Sequence, residues 1–332
     1  MSNNPKTNTS LFSNNDLKEM QSYPLERKIA ISLTKIAEFK NKFPLKIYTS
    51  SEGVKYEDNC YISFSGGKDS TVLLHLARQI YPNIPAVYID TGLEFPEVRE
   101  FALSQANIIK LVPKMNFKQV IEAYGYPVVS KEQAAFIQEY RDTKSEKLKD
   151  IRWNGNKYGR GKISKKYRYL VNAPFKISDK CCDIMKKNPA QLFEKESGLH
   201  PIIGTMACES AQRKSNWLMY GCNAFNTKRP TSKPLSFWTE QDILEYIVKY
   251  NISYSDAYGD IVKDENGLWK TTRESRTGCM FCMFGLQYED EPNKFQRMNI
   301  THKYIHDWCC KDCDFGGLGL QKVCDYMNIK TE

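Results

Sequence analysis

The chain has 332 residues, of which 41% are hydrophobic, and a net charge of +9. It is long for one compact core and short for three, and its apolar content suffices for a globular protein. No apolar run approaches the roughly 18 residues of a membrane span, and the polar N-terminus lacks the apolar segment of a secretory signal. We therefore expect a cytoplasmic location and no membrane partner, where eleven cysteines favour metal binding or catalysis over disulfides.

The N-terminal part of the chain divides into a tail and a helix. Residues 1–16 are rich in Asn, Ser and Thr and show no periodicity, which predicts a disordered tail. Apolar residues then recur at helical spacing over Leu25–Phe43, which predicts an amphipathic helix within a lead-in region of residues 17–60.

A phosphate-binding turn is predicted next. Tyr61–Phe64 is an apolar run typical of a strand, and Thr71–Ile80 has its apolar residues at helical spacing. The turn between them has the sequence Ser65-Gly66-Gly67-Lys68-Asp69-Ser70. Its glycines let backbone N–H groups turn around an anion, and the start of the helix favours the same anion. Lys68 adds a positive charge for phosphate.

Strands and helices alternate after this turn. Ala86–Asp90 and Ile108–Val112 are typical of strands, a helix is predicted over residues 96–106, and Ile202–Gly204 is a later strand. The alternation predicts an α/β fold with a doubly wound parallel sheet, in which ligands bind at the carboxyl ends of strands. We therefore expect the turn to share one pocket with the polar residues that end the second strand, Asp90 and Thr91.

Most of the positive charge lies in one stretch. Arg141–Arg168 carries eleven basic and three acidic residues, a net +8, interleaved with aromatic residues. It interrupts the alternation, so we interpret it as a basic insertion, residues 141–170, or a long exposed loop. Lysines and arginines neutralise phosphates and aromatic rings stack on bases, which predicts a contact with tRNA or DNA. A solvated surface or a lid over the active site would show the same pattern.

Two cysteine pairs predict a metal site. Cys181 and Cys182 are adjacent, and Cys279 and Cys282 form a Cys-x-x-Cys turn that suits zinc or an iron–sulfur cluster. Four ligands are needed, and the adjacent pair would complete the set. Two alternatives stay open: the adjacent pair are buried core thiols, or Cys282 joins the Cys-x-x-Cys of Cys310 and Cys313 around zinc.

Two further segments follow the last predicted strand. Glu209 and Arg213, four residues apart, lie on one helix face, either as a surface ion pair or beside the ligand. A guanidinium at that position suits phosphate or sulfate. Thr239 is the predicted N-cap of a helix over Glu240–Tyr250.

Together these motifs resemble the PP-loop ATP pyrophosphatase superfamily, and within it the phosphoadenylyl-sulfate (PAPS) reductase-like branch. The resemblance rests on Ser65–Ser70, Ala86–Gly92, Gly204–Arg213 and the P-L-x-x-W-T-E-x-D-I segment from Pro234, and it covers about residues 25–290. It implies an adenine nucleotide alpha hydrolase-like fold. We expect a nucleotide-binding domain over residues 61–235 and a helical, Cys-rich region over residues 236–332.

The resemblance also implies roles for individual residues. ATP and Mg²⁺ would be bound by Ser65, Gly66, Gly67, Lys68, Asp69, Ser70, Asp90 and Thr91. The expected catalytic residues are Lys68, Asp69, Asp90, Glu209 and Arg213. The order C-C…C-x-x-C resembles the [4Fe–4S] site of adenylyl-sulfate reductases, so Cys181, Cys182, Cys279 and Cys282 are expected to bind a cluster, with Zn²⁺ as the alternative.

Three activities are compatible with this resemblance. An ATP-consuming sulfurtransferase agrees with an intact Lys68 and with the cysteine set. A sulfonucleotide reductase usually lacks the lysine and ends in Glu-Cys-Gly-Leu-His, which is absent here. A sulfate adenylyltransferase small subunit does not need the cysteines. We therefore favour the sulfurtransferase, with a sulfur donor or reductant protein as partner, as a homo-oligomer. A nucleotide-binding module without enzymatic activity is the remaining alternative.

Overall fold

The computed structural model describes residues 10–50 and 53–332. Its α-helices are, in chain order, α1 (Asn14–Gln21), α2 (Leu25–Lys40), α3 (Lys68–Ile80), α4 (Pro96–Ser104), α5 (Phe117–Tyr124), α6 (Lys131–Asp142), α7 (Glu146–Asn154), α8 (Asn188–Ser197), α9 (Ala211–Tyr220), α10 (Glu240–Lys249), α11 (Lys294–Thr301), α12 (Lys303–Cys310) and α13 (Leu320–Tyr326). Its strands are β1 (Lys46–Thr49), β2 (Lys55–Asp58), β3 (Cys60–Phe64), β4 (Ala86–Ile89), β5 (Ile108–Leu111), β6 (His200–Ile203), β7 (Asn223–Ala224), β8 (Thr231–Ser232), β9 (Ile261–Lys263) and β10 (Trp269–Thr271). Among these described helices, not one combines the length and apolarity needed to cross a lipid bilayer.

The chain divides into two compact units, and the first contains the main sheet. This unit comprises Met1–Asp90, Phe95–Leu111 and Ala190–Thr277. Its sheet has the strand order β5-β4-β3-β6-β8-β7, parallel throughout except for β7, which runs antiparallel to β8. The predicted α/β fold with a doubly wound parallel sheet is confirmed.

The strand order fixes where a ligand can bind in the first unit. From β3 the chain moves outward through β4 to β5 and then returns to the other side of β3 as β6. The order therefore reverses between β3 and β6, and the crevice at the carboxyl ends of these two strands is where such sheets bind ligands. Helix α3 packs on β3, and α2 and α10 pack on α3. Fully buried side chains of all three helices share one core with β3, among them Phe39, Leu73 and Tyr246.

The second unit is mainly helical. It comprises Thr91–Glu94, Val112–Pro189 and Gly278–Glu332. Buried apolar residues occur on most of its helices, including Val120, Ile137, Phe295 and Val323. Two isolated parallel bridges, Tyr126 with Ile177 and Val129 with Phe284, join the segments of this unit that are far apart in sequence.

The structure corrects three boundaries expected from the sequence. Residues 1–9 of the predicted tail lie outside the described residues, but α1 begins at Asn14 because Ser13 and Asp16 form a capping box. The first unit extends beyond residue 235 to Thr277, because Trp238 and α10 bury their apolar side chains in its core. The basic stretch is not one long loop, since it contains α7 and a 3₁₀ helix over Lys165–Asn172.

Candidate functional site

The turn between β3 and α3 has the geometry of a phosphate cradle. Gly66 has φ +73, and a Cβ there would lie 2.8 Å from the Val98 carbonyl oxygen, so glycine is required. Gly67 is the N-cap of α3 and makes no side-chain cap, which leaves the first N–H groups of the helix for other acceptors. The hydroxyls of Ser65 and Ser70 lie 3.1 Å apart and close the turn.

Lys68 is held by three other segments of the first unit. Its side chain is only 4% exposed, its Nζ donates to the Ser275 carbonyl at 2.7 Å, and it pairs with Glu240 at 3.1 Å. Its backbone N–H donates to the Tyr258 hydroxyl at 3.0 Å, and that hydroxyl lies 2.6 Å from Thr277 Oγ1. Residues 275–277 and Tyr258 were not predicted as part of the site.

Asp69 offers an oxygen without a partner. Its Oδ1 is buried and has no hydrogen-bond partner within the described ranges. Burial raises the pKa of this carboxyl, while the neighbouring Lys68 charge opposes that rise. An unpartnered buried carboxylate oxygen costs free energy unless a cation or donor reaches it. This chemistry fits Mg²⁺, a hard cation that prefers oxygen ligands.

Glu209 forms ion pairs with two arginines near Asp69. It is 11% exposed, accepts a hydrogen bond from the Met206 N–H at 2.7 Å, and pairs with Arg213 and with Arg276 at 3.6 Å. The side chains of Arg213 and Arg276 are 43% and 63% exposed, so both can reach an anionic ligand. The predicted pair of Glu209 and Arg213 is therefore present, but not on one helix face: Glu209 ends a 3₁₀ helix over Ala207–Glu209, and Arg213 lies in α9, whose N-cap is Ser210. Arg276 is an addition that sequence reasoning missed.

Asp90 and Thr91 are engaged by other residues. Arg99 donates three hydrogen bonds to the Asp90 carboxylate, at 2.8, 3.0 and 3.1 Å, and Lys110 lies 3.4 Å away. Burial opposes ionisation, but these donors hold the pKa of Asp90 below its ordinary value. Thr91 Oγ1 donates to Glu94 at 2.8 Å in the second unit. The structure thus pairs Asp90 with cations, in contrast to the open oxygen of Asp69.

Cys181 and Cys182 begin a helix with an unusual turn. Helical residues run from Cys181 to Ser197, with a π-helical turn over Asp183–Lys187 directly after the cysteines. Such turns are rare and occur mostly at functional sites. The two sulfurs lie 3.9 Å apart. A hydrogen bond from Cys181, aided by the charges of Lys131 and Lys186, lowers the pKa of Cys182 to about 6, and the same bond raises that of Cys181.

The Cys-x-x-Cys turn lies in the same unit. Cys282 N–H donates to the Cys279 carbonyl at 3.2 Å, and Met280 N–H donates to the Leu93 carbonyl at 2.8 Å. Burial raises the pKa of Cys279 to about 11, against the opposing charge of Lys186, and Cys182 contributes to the rise. Both thiols of this turn also contribute to the raised pKa of Cys181. The two pairs therefore interact electrostatically.

The four thiols fit a soft metal or an iron–sulfur cluster by their chemistry, because they supply four sulfur donors from a rigid helix start and a tight turn. Over residues 10–50 and 53–332, no group of three or more His, Cys, Asp or Glu side chains is arranged to hold a metal ion as it stands.

A lysine and a strained valine were not predicted at this second site. Lys186 pairs with Glu94 at 3.3 Å, and the neighbouring Cys279 and Glu94 raise its pKa despite its partial burial. Val129 is buried at φ +64, a left-handed conformation that is costly for a β-branched residue. Its carbonyl accepts from Gly285 N–H at 2.8 Å, three residues after Cys282. Strain of this kind persists only where surrounding structure enforces it.

The basic insertion is partly structural. Arg152 pairs with Glu139 at 2.5 Å and donates to the Gly161 carbonyl at 2.7 Å, and Arg168 stacks on Trp153 at 4.2 Å. Tyr167 is buried, in contrast to Tyr158, which is 72% exposed, and Tyr169, which is 42% exposed. Trp153 and Tyr167, two of the four aromatic residues of the basic insertion, therefore pack within the protein. Arg141 is exposed and donates to the Phe175 carbonyl at 2.8 Å. The other exposed cations are Lys144, Lys147, Lys157, Arg160, Lys162, Lys165 and Lys166.

Comparison with known proteins identifies one family and several relatives that match a large part of this chain. A model of the phosphoadenosine phosphosulfate reductase domain matches residues 59–152 and 131–282, which include the turn and both cysteine pairs. An uncharacterized protein of Methanocaldococcus jannaschii is 24% identical over 257 residues, 74% of this chain and 46% of that protein. Sulfate adenylyltransferase subunit 2 of Brucella abortus is 25% identical over 64% of each chain. An adenosine 5'-phosphosulfate reductase of a Geobacillus species is 24% identical, covering 62% of this chain and 72% of that enzyme.

The chain thus spans about half the length of the first relative and less than two thirds of the second. The predicted resemblance to the PAPS reductase-like branch is confirmed by the family match.

Proposed function

The chain belongs to the phosphoadenosine phosphosulfate reductase domain family, and from this premise we propose that it is an ATP pyrophosphatase-type sulfurtransferase. It binds ATP at Ser65–Ser70, cleaves it to AMP and pyrophosphate, and thereby activates a substrate for attack by sulfur. The observation that carries this proposal is the buried Lys68 beside a glycine-required turn at the switch point of the sheet.

The residues of the first unit have separate roles in the cleavage of ATP. The N–H groups at the start of α3 and the Lys68 ammonium bind the pyrophosphate oxygens, where negative charge accumulates on the leaving group. Asp69, whose Oδ1 lacks a partner among the described residues, binds Mg²⁺ with the phosphates. Arg213 and Arg276, both held by Glu209, bind the anionic part of the nucleotide or substrate.

The second unit supplies the sulfur chemistry in this proposal. Cys181, Cys182, Cys279 and Cys282 would hold a [4Fe–4S] cluster, and with only three of the four thiols as ligands the cluster would supply an open iron for sulfur. Lys186, paired with Glu94 and beside Cys279, places a positive charge at this site and attracts an anionic reactant. Zinc is the alternative occupant, since the same thiols suit it.

Lys68→Ala tests the ATP step. The expected result is loss of pyrophosphate release from ATP, because the leaving group loses its principal cation. Lys42→Ala, which removes an exposed lysine of the same unit, should leave the release unchanged. Unchanged release in Lys68→Ala would refute the assignment of the turn.

A sulfonucleotide reductase is the second candidate, favoured by the relative named adenosine 5'-phosphosulfate reductase. The two activities differ in what they consume. A sulfurtransferase releases pyrophosphate from ATP in the presence of its acceptor, and a reductase releases sulfite from an adenylyl sulfate with two electrons from a dithiol reductant, without ATP. Incubation of the purified protein with ATP and tRNA or DNA, and separately with an adenylyl sulfate and a dithiol, therefore separates them.

We further propose that the sulfur acceptor is a nucleic acid bound through residues 141–170. The exposed lysines and the exposed rings of Tyr158 and Tyr169 support this proposal. Changing Lys144, Lys157, Lys162 and Lys165 to Ala should flatten the salt dependence of tRNA or DNA binding, by about 0.9 in log–log slope for each lost contact to duplex phosphate. This set leaves Arg152 and Arg168 in place. A wild type that binds neither nucleic acid at low salt would end the hypothesis.

A further inference from the structure

Three thiols and one histidine lie close together in the second unit, apart from the four cysteines of the proposed metal site. Cys309 and Cys324 are fully buried, and Cys310 is partly exposed. The Cys310 sulfur lies 3.5 Å from His306 Nε2, and the Cys309 thiol donates to the His306 carbonyl at 3.2 Å. We call His306, Cys309, Cys310 and Cys324 the C-terminal thiol cluster. Its helix α12 contacts the Cys-x-x-Cys turn through Trp308, whose ring lies edge-on to Phe281 at 6.0 Å.

Both ring nitrogens of His306 face oxygen atoms. Nδ1 lies 3.3 Å from the Asp307 carboxylate, and Nε2 lies 3.1 Å from the Thr331 carbonyl oxygen. Both of these oxygens act as acceptors, so only a doubly protonated ring donates to both. Hydrogen bonds from Lys303 and His306 hold the pKa of Asp307 below its ordinary value, which keeps this carboxylate negative beside the ring. A ring that donates to both oxygens carries a positive charge, and its Nε2 lies 3.5 Å from the Cys310 sulfur.

The carbonyl that faces His306 is fixed in place. Asn293 Nδ2 donates to the Lys330 carbonyl at 2.8 Å, and Thr331 Oγ1 donates to Gln321 Oε1 at 2.7 Å. His306 itself is 2% exposed. The geometry of the histidine is therefore set by three helices and the last residues of the chain, as a positioned acid–base group requires.

Of the three thiols, Cys310 is the one suited to act as a nucleophile. An imidazolium beside a cysteine stabilises the thiolate, which is the reactive form. A hydrogen bond between Cys309 and Cys310 raises the pKa of the Cys309 thiol. Burial raises the pKa of the Cys324 thiol to about 12, so both Cys309 and Cys324 keep their protons. Cys310 is also the only one of the three that is not fully buried.

We propose that Cys310 is a nucleophilic thiol that accepts a sulfane sulfur from a low-molecular-weight persulfide. The thiolate attacks the outer sulfur of R–S–SH, a new bond forms between the Cys310 sulfur and that sulfur, and the donor bond breaks to release R–S⁻. The product is Cys310–S–SH, and no external oxidant or reductant is consumed. Its use as a sulfur source rests on the proposed sulfurtransferase function, but the uptake step needs neither ATP nor an acceptor.

The test uses the full-length protein and glutathione persulfide, without nucleotide. Samples are quenched with iodoacetamide at timed intervals, and each cysteine peptide is measured by mass spectrometry. We expect Cys310 to gain one sulfur at least about tenfold faster than Cys313, and His306→Asn to remove that advantage. Cys313 is a matched control, because it is also partly exposed but lies 3.5 Å from the Tyr126 hydroxyl rather than beside an imidazole. Asp307→Asn changes an exposed side chain, so it should fold normally and still slow the uptake.

Three results would overturn the proposal. The first is a rate at Cys310 no greater than at Cys313, and the second is an unchanged rate in both His306→Asn and Asp307→Asn. The third is a disulfide from Cys310 to Cys309 or Cys324 with release of sulfide, which would make the cluster a reducing site. Pyrophosphate release by the wild type is measured separately. Its absence would refute the sulfurtransferase, whereas its presence without sulfur uptake would refute only the role of Cys310.

Discussion

The hydroxyl of Tyr258 accepts a hydrogen bond from a backbone N–H of the phosphate-binding turn, and that N–H is one that a bound phosphate would need. The Lys68 N–H donates to this hydroxyl at 3.0 Å, and Lys68 is buried in the protein without ligand. Tyr258→Phe leaves that N–H without an acceptor, at a cost of about 1–3 kcal/mol to the ligand-free protein. A bound phosphate oxygen would restore the hydrogen bond, so the cost is smaller or absent in the ATP complex.

The consequence is that Tyr258→Phe should bind ATP more tightly than the wild type. A difference of about 1–3 kcal/mol corresponds to about 5–150-fold in affinity. The assay is urea unfolding with and without ATP, together with titration calorimetry. The variant should lose stability without ATP, and ATP should restore most of the loss.

Tyr254→Phe is the matched control for this experiment. Its hydroxyl donates to the Gly259 carbonyl at 3.0 Å, in the same unit. It should lose a similar hydrogen bond without changing the stabilisation by ATP. If Tyr258→Phe weakened ATP binding, or responded to ATP like Tyr254→Phe, the Lys68 N–H would not be a phosphate donor and the reasoning would be wrong.

Three further predictions concern the charges and the thiols. Lys28→Met should destabilise the protein by about 3–5 kcal/mol in urea unfolding, because it leaves the nearly buried Asp242 without its partner at 2.7 Å. The control is Lys35→Met, which removes an exposed ion pair and should cost under about 1 kcal/mol. The pKa of Asp90 is lowered in the folded state. Its ion pair with Arg99 therefore stabilises the fold at pH values above the ordinary pKa of 3.8, and this stability is lost as the pH falls below 3.8 through the lowered pKa. Arg99→Gln should flatten this part of the acid unfolding profile. Anaerobically purified protein should contain iron that Cys279→Ser loses and Cys208→Ser keeps, and zinc in place of iron would contradict the cluster.

The sequence was sufficient for the parts of the site that local patterns determine. The run of apolar residues before Ser65 and the helical spacing after Ser70 predicted β3 and α3, and the required glycine is present at Gly66. Thr239 is the N-cap of α10 as predicted, because a hydroxyl three residues before Asp242 allows a capping box. These features depend on residues that are close together in the chain.

The contacts that the sequence did not predict join residues far apart. Tyr258 and Ser275 contact Lys68 across 190 and 207 residues, and neither has a local pattern that distinguishes it from an ordinary loop residue. Charge counts had the same limitation in the basic stretch. A count of charges includes Arg168 as a cation available for binding, whereas in the structure its guanidinium stacks on Trp153. Long-range packing decides which charges are available, and composition does not record it.

The first turn of α10 shows why one segment serves both the fold and the site. Asp242 caps this helix with Thr239 and forms the buried pair with Lys28 of α2. Two residues earlier, Glu240 reaches Lys68 of the phosphate-binding turn. The ion pair that fixes α10 on α2 therefore also fixes the carboxylate that neutralises Lys68 while no phosphate is bound. Loss of Lys28 should consequently alter ATP binding as well as stability, although the Lys28 ammonium donates to Gln21 and Asp242, which lie outside the turn.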